Sequence, residues 1–292
     1  MRIGTRGSAL ALAQAGAVAA LLGPAAELVP VTTSGDRGAT GQDKERWVKE
    51  LELGLLDGDL DLAVHSAKDV PTVLPDGLAL VGSPARADPL DALVGAPSLA
   101  QLAPGARVGT ASLRRAAQLL ALRADLDVVV VHGNVDTRLR RLHDGELDAL
   151  VLAAAGLRRL ERAAEIGCLL RELVPAPGQG TLVLEARADD EAAAAAVAAI
   201  THMPTWDALI AERALVAALD ASCNTPLGAH ARVRDGAIAL RTFVGLPDGS
   251  AWLRDEAPPA PAPAEAGARA AERLLAAGGG ELLARAEEMA TA

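Results

Sequence analysis

The residues best placed for chemistry are arginines that fall where a strand hands over to a helix. In Gly109-Thr110-Ala111-Ser112-Leu113-Arg114-Arg115 a strand-like run ends, Ser112 can cap a helix, and two arginines occupy its first turn. A helix N-terminus already carries about half a positive charge. Two added guanidiniums are unfavourable there unless an anion occupies the site, held by backbone N–H groups and the arginines together. The layout recurs at Asn134-Val135-Asp136-Thr137-Arg138, and more loosely at Gly4-Thr5-Arg6-Gly7-Ser8. Solvated surface charge would explain any one of these sites. Three together in an acidic chain point to a small ligand with several carboxylates or phosphates.

Two further segments carry reactive groups. His65-Ser66-Ala67-Lys68-Asp69-Val70-Pro71 follows an apolar strand-like run over residues 60–64. Ligands of open α/β sheets bind at the C-terminal ends of strands. Lys68 and Asp69 read either as a structural ion pair or as an anion-binding lysine beside an acid/base or charge-stabilising carboxylate. Cys223 lies in the polar, turn-rich stretch Asp220-Ala221-Ser222-Cys223-Asn224-Thr225-Pro226, where reactive thiols tend to occur. Cys168, in Ile166-Gly167-Cys168-Leu169-Leu170, fits a small core hydrophobe. Zinc-type Cys/His spacing, a phosphate-binding Gly-x-x-x-x-Gly-Lys loop and a Gly-x-Gly-x-x-Gly fingerprint are all absent.

Alternating segments must position these groups. Strands are expected over residues 2–5, 28–33 and 60–65, and helices over 9–22 and 47–57. The chain changes domain near Ala85-Arg86-Ala87-Asp88-Pro89. A second α/β unit then has strands over 107–110, 128–132 and 149–153 and helices over 113–123 and 138–143. Pro175-Ala176-Pro177-Gly178-Gln179-Gly180 crosses back to a strand over 181–185 and an Ala-rich helix over 191–200. The last part reads as a small antiparallel sheet, with strands over 238–244 and 250–255, Asp-Gly turns at 235–236 and 248–249, a proline-rich linker or loop over 258–263 and a helix over 264–277. No internal repeat is visible.

Composition excludes several classes. The 292 residues are 51% hydrophobic, with three Trp, one Phe and no Tyr, so Ala, Leu and Val do the packing. A net charge of -10 and so few aromatics argue against a nucleic-acid binder. Two cysteines make no disulfide framework and suit a reducing cytoplasm. The N-terminus has no signal-peptide pattern, and no apolar run reaches the ~18 residues that span a bilayer. The length suggests two or three domains.

Nine motifs stand in a fixed order along the chain. They are Thr5-Arg6-Gly7-Ser8, Val48-Lys49-Glu50-Leu51-Glu52, the 65–71 segment, the 109–115 segment and Gly133-Asn134, then Ala155-Gly156-Leu157, Pro177-Gly178-Gln179-Gly180, Ala211-Glu212-Arg213-Ala214 and Cys223-Asn224-Thr225-Pro226-Leu227-Gly228. In this order the set resembles the porphobilinogen deaminase family. The resemblance implies an α/β fold: two periplasmic-binding-protein-like lobes plus a small α+β C-terminal domain with an antiparallel sheet. Mapped here, the first lobe is 1–86 with 181–200, the second is 87–180, and the cofactor-attachment domain is 203–292.

It further implies a cytoplasmic, monomeric transferase of tetrapyrrole (haem, porphyrin) biosynthesis, with neither nucleic acid nor membrane as partner. Four porphobilinogen molecules would condense head to tail with loss of ammonia and leave as hydroxymethylbilane. The primer would be a dipyrromethane cofactor on Cys223, with Asp69 as the catalytic carboxylate. Lys68, Ser112, Arg114, Arg115, Arg138, Ser66 and Thr110 would hold the cofactor, and Arg6, Ser8, Arg159, His132 and Trp47 the substrate. A dipyrromethane plus incoming substrate carries about six negative charges, which suits a guanidinium cluster. The chain departs from the family's pattern in three places. His132 stands where an arginine is usual, and Ala221-Ser222 where Gly-Gly is usual; the segment before Val48 is short and reads Lys44-Glu45-Arg46-Trp47 in place of a Gly-rich lid. The competing readings are a non-catalytic bilobal organic-anion-binding protein and a degenerate deaminase paralogue.

Overall fold

The computed structural model describes residues 1–33, 48–221 and 225–291. Trp47, Ser222, Cys223 and the shortened segment before Val48 lie outside the described residues.

The chain begins with β1 (Arg2–Arg6), α1 (Ala9–Leu22) and β2 (Glu27–Val31). Ser8 caps α1 by accepting a hydrogen bond from the Ala11 N–H at 3.3 Å. After α2 (Lys49–Leu56) come β3 (Leu62–Ser66), a 3-10 turn (Ala67–Asp69) and β4 (Leu78–Gly82). The chain then crosses to β5 (Asp91–Val94), β6 (Arg107–Gly109), α3 (Leu113–Leu122), β7 (Asp127–Val129), α4 (Val135–His143), β8 (Ala149–Ala153), α5 (Ala154–Arg159) and β9 (Ile166–Leu170). It returns as β10 (Leu182–Arg187) and α6 (Glu191–Ala198). The remainder is α7 (Met203–Ala218), β11 (Leu227–Arg234), β12 (Ala237–Gly245), β13 (Trp252–Ala260), α8 (Pro263–Ala276) and α9 (Gly279–Thr291).

Two five-stranded sheets have the same plan. The first runs β2-β1-β3-β10-β4 and the second β7-β6-β8-β5-β9. In each, three parallel strands are followed by an antiparallel strand that has just crossed from the other lobe. This structural repetition is invisible in the sequence, because burial on both faces constrains only hydrophobicity and size. One face of the first sheet packs Ile3, Leu62, Val64 and Leu184 on α1 and α6. Its other face meets Leu51 and Leu55 of α2 and Leu209 of α7. The second sheet is covered by α3 on one side and by α4 and α5 on the other. The two crossings are bonded to each other: the Ala87 N–H donates to Gly180 O at 3.1 Å and Arg86 Nε to Gln179 O at 2.9 Å.

The C-terminal sheet runs β11-β12-β13, antiparallel throughout, with α7, α8 and α9 on one face. The proline-rich segment expected to be a linker or loop is in part a strand, since Pro258 and Pro259 lie inside β13. Strand β13 is at the sheet edge, and its register slips between Ile238 and Leu240, directly opposite these prolines. An edge bulge needs no ladder donor, so proline is tolerated there. The linker is in effect absent, and Pro263 opens α8 directly.

Candidate active site

Strand β3 is buried along Leu62–His65 and delivers Ser66, Lys68 and Asp69 to its C-terminal end. The turn that follows is held from three sides. Gln14 Nε2 donates to Ser66 Oγ at 2.8 Å, and the Ala67 N–H donates to Thr181 O at 3.0 Å. Gly178 packs its backbone on the turn, at φ +73°; a Cβ there would lie 2.9 Å from Ala67 C and Lys68 N. Arg213 of α7 donates to Pro71 O at 2.8 Å and Thr72 O at 2.9 Å, fixing the exit. Behind the turn, His65 Nε2 stands 2.9 Å from Glu185 Oε2, both groups buried.

Opposite stands the N-terminus of α3. Ser112 Oγ accepts from the Arg115 N–H at 3.4 Å, and Thr110 Oγ1 accepts from the Ser112 N–H at 3.2 Å. Arg114 and Arg115 are buried rather than solvated, and much of their counter-charge is the chain's own Asp91. Arg114 Nη1 donates to Asp91 Oδ2 at 2.8 Å and to Val174 O at 2.7 Å, while Arg115 Nε donates to Asp91 Oδ1 at 2.8 Å. Gln179 Nε2 donates to the same carboxylate at 3.0 Å. Burial alone would raise the Asp91 carboxyl, but the two guanidiniums outweigh it and hold it far below the carboxylate range.

One carboxylate serves two guanidiniums, so the cluster keeps an excess of positive charge that Lys68 senses. Burial is the main force pushing the Lys68 ammonium down to about 8, with Arg115 and Arg114 adding to it and Asp69 and Asp91 opposing. Asp69 in turn acts on the Arg115 charge. The Lys68–Asp69 turn of the first lobe and the Arg114–Arg115 cluster of the second thus lie in one electrostatic site.

Arg138 joins them. Asn134 Oδ1 caps α4 by accepting from the Thr137 N–H at 2.8 Å, and Arg138 Nε donates to Gly133 O at 2.8 Å. Burial first, and Arg115 second, push the Arg138 guanidinium down to about 10. Arg159, at the end of α5, donates to Gly180 O at 2.8 Å and is lowered by burial. Neither Arg138 nor Arg159 has a carboxylate partner among the described residues. Arg6 closes β1, half-buried, and Ser8 caps α1. His132 is exposed in the loop after β7, which ends at Val129 rather than at residue 132. Cys168 lies half-buried in β9 opposite Leu93, with burial raising its thiol.

Three positioning residues have a role that the sequence did not assign, Glu212 and Arg213 having stood there only as part of a motif. Asp91 heads a fully buried strand, and a charge at the head of an apolar run was the available signal. Glu212 falls on the same helical face as Ala208, Ala211 and Leu215, where an acid is out of place. Its carboxylate accepts from Arg86 Nη1 at 2.6 Å, the Gly178 N–H at 2.6 Å and the Ala231 N–H at 2.8 Å. Arg213 beside it anchors the 70–72 segment. Among the described residues, no group of three His, Cys, Asp or Glu could hold a metal, and no helix is long and apolar enough to cross a membrane.

Comparison with known proteins agrees along the chain. Residues 1–195 match the family profile "Porphobilinogen deaminase, dipyromethane cofactor binding domain", and residues 206–276 match "Porphobilinogen deaminase, C-terminal domain". The porphobilinogen deaminase of Syntrophotalea carbinolica is 46% identical over 97% of this chain and 95% of its own length. That of Thermus thermophilus is 45% identical over 97% and 98%. Among solved structures, the methionine binding protein MetQ aligns over 71% of this chain and 92% of its own, with a TM-score of 0.46 and 18% identity. The chain belongs to the porphobilinogen deaminase family.

Proposed function

We propose that the cleft between the Lys68–Asp69 turn and the N-termini of α3 and α4 is where this transferase of tetrapyrrole biosynthesis condenses porphobilinogen into hydroxymethylbilane, with Asp69 as the catalytic carboxylate. The observation that carries this reading is the facing of Asp69 and Lys68 by an arginine cluster whose charge Asp91 only half neutralises. The domain partition that goes with it is 1–86 with 181–200, then 87–180, then 203–292; β10 joining the first sheet supports it. A cytoplasmic monomer with neither nucleic acid nor membrane as partner completes the proposal; the net charge of -10 supports its nucleic-acid part.

The residues present fit a dipyrromethane. Two pyrroles with two carboxylates each need several cations with no internal partner, and Arg138 and Arg159 have no carboxylate of their own. We assign Lys68, Arg115, Arg138, Ser66, Thr110 and Ser112 to holding it, with Arg114 acting through Asp91. Arg6, Ser8, Arg159, His132 and Trp47 are assigned to the incoming substrate, and Cys223 to the thioether tether. When bound, the cofactor supplies the free pyrrole α-carbon to which the next ring is joined.

The protein's part is to bind, orient and hold charge. The arginines and the α3 and α4 N-termini bind the acetate and propionate groups, fixing ring orientation. As the substrate's aminomethyl group leaves as ammonia, positive charge develops at its ring nitrogen, and the Asp69 carboxylate accepts that N–H and stabilises the charge. After the carbon–carbon bond forms, the α-carbon that made the attack must lose its proton, and in this reading the Asp69 carboxylate takes it.

Asp69→Asn keeps the shape and removes the charge. Steady-state turnover should fall by roughly 10²–10⁴ with the thermal midpoint little changed. Near-normal turnover would return Asp69 to the role of an ion-pair partner for Lys68.

A further inference from the structure

A second cationic recess lies outside this cleft. A cavity of about 470 Å³ is lined by Asp88, Pro89 and Leu90 of one crossing, Arg171, Leu173 and Pro175 of the other, and His230, Arg232 and Arg241 of the C-terminal sheet. None of Lys68, Asp69, Arg115 or Arg138 lines it. Residues 173–175 separate the two sites: the Val174 carbonyl accepts from Arg114, while its neighbours Leu173 and Pro175 wall the recess.

Strand alternation gathers the charges. In β11, Leu227, Ala229 and Ala231 face the helices, leaving His230 and Arg232 on the opposite face. The ladder sets Arg241 of β12 directly beside His230. Where that face meets the second lobe, Phe243 packs on Ala117 and Val174.

We propose that this recess is a second anion site, which takes a small multivalent oxyanion, inorganic phosphate or a short polycarboxylate, on the guanidiniums of Arg171, Arg232 and Arg241. The charge balance around it is the first support. In a chain with 38 acids and 28 bases, several surface arginines pair with acids, Arg2 with Asp61, Arg123 with Asp125, Arg141 with Glu146 and Arg273 with Asp255, while others such as Arg107, Arg140 and Arg234 stand singly in solvent, and the recess differs from those in gathering three together. No salt bridge is made by Arg171, Arg232 or Arg241 among the described residues. Asp88, the one carboxylate in the lining, is already bonded to Arg158 at 2.8 Å. Glu256, opposite Arg241 in the ladder, tempers that charge alone.

Local geometry is the second support. Arg241 Nη2 is fixed on the Arg171 carbonyl at 3.1 Å, and its Nε is buried with no partner. A half-buried guanidinium held in place with an unused donor suits an oxyanion. Arg171 and Arg232 stand exposed at the mouth, able to close on a ligand. His230 at the buried end is pushed down to about 3 by burial, then by Arg86, Arg232 and Arg241, as expected of a neutral group in an unbalanced positive field.

The site is independent of the assignment of the catalytic cleft, and its test separates the two. Isothermal titration of the full-length, cofactor-bearing protein with inorganic phosphate, and separately with citrate, should show saturable binding of at least one. Arg232→Gln and Arg171→Gln should each weaken that binding roughly tenfold or more, while Arg232→Lys keeps most of it. Arg138→Gln in the cleft should leave it intact, and Arg232→Gln should leave turnover unchanged. The His230 ring resonances should shift on binding, with the imidazole titrating at higher pH. Saturation by phosphate alone would make this a phosphate site, and by citrate alone a polycarboxylate site. Failure of both anions to saturate, or binding indifferent to Arg232 and Arg171, would overturn the proposal.

Discussion

Lys68 shows how far a single side chain is governed by its surroundings. Its ordinary value is 10.5, and in the folded protein it titrates at about 8, chiefly through burial. The ammonium is charged well below pH 8 and loses its charge as pH rises through that value. The unfolded chain keeps this proton up to about 10.5 and so binds more protons in the window between; the group therefore makes folding stability rise with pH there. Anion binding runs the other way, because it needs the charge. The substrate KM should increase between pH 7 and 9, with a midpoint at or above 8 because a bound carboxylate favours the charged form. Lys68→Arg, charged throughout, should abolish that step. Superimposable KM profiles for the two proteins would remove Lys68 from the binding site.

Elements were legible where local signals were unopposed. Ser8 and Gly23 bracket α1 at Ala9–Leu22, and β8 falls at Ala149–Ala153, both as the sequence implied. Helix α7 went unread because apolar residues surround it: it packs on the first lobe through Leu209 and on the C-terminal sheet through Ala211 and Leu215, leaving little contrast between faces. Strands β4, β5 and β11 were missed because short apolar runs carry no decisive period, and β13 was cut short by prolines that its edge bulge tolerates. The arginines at helix starts pointed to an anion site, but half of their counter-charge proved internal, since Asp91 is brought in by the crossing and not by sequence proximity. The crossing also sets the Lys68–Asp69 turn through Gly178, which neither a positive φ nor the available space allows to carry a side chain. Gly178→Ala should displace the Lys68–Asp69 turn, lowering kcat by about tenfold to a hundredfold and stability by ~1–3 kcal/mol. Steady-state kinetics with a thermal melt would check it, and an unchanged kcat would mean that the turn is not set from that side.

At the scale of the whole molecule, Glu212 is the junction. Its carboxylate joins Arg86 and Gly178 of the crossings to Ala231 of the C-terminal sheet. Glu212→Gln leaves Arg86 without its buried charge partner and should cost roughly 3–5 kcal/mol. Calorimetry should then show the C-terminal domain melting apart from the lobes; a single unshifted transition would deny the junction its role. The same domain carries Cys223, in the segment between α7 and β11, and α7 is tied through Arg213 to the residues just after Asp69. The central claim, a cleft built around a dipyrromethane tethered at Cys223, is tested most directly by the intact mass of protein purified from a host that makes porphobilinogen. The chain and its Cys168→Ser variant should each exceed the sequence mass by one dipyrromethane, and Cys223→Ser should match its sequence mass. An unmodified wild-type chain, or an adduct surviving in Cys223→Ser, would contradict the account.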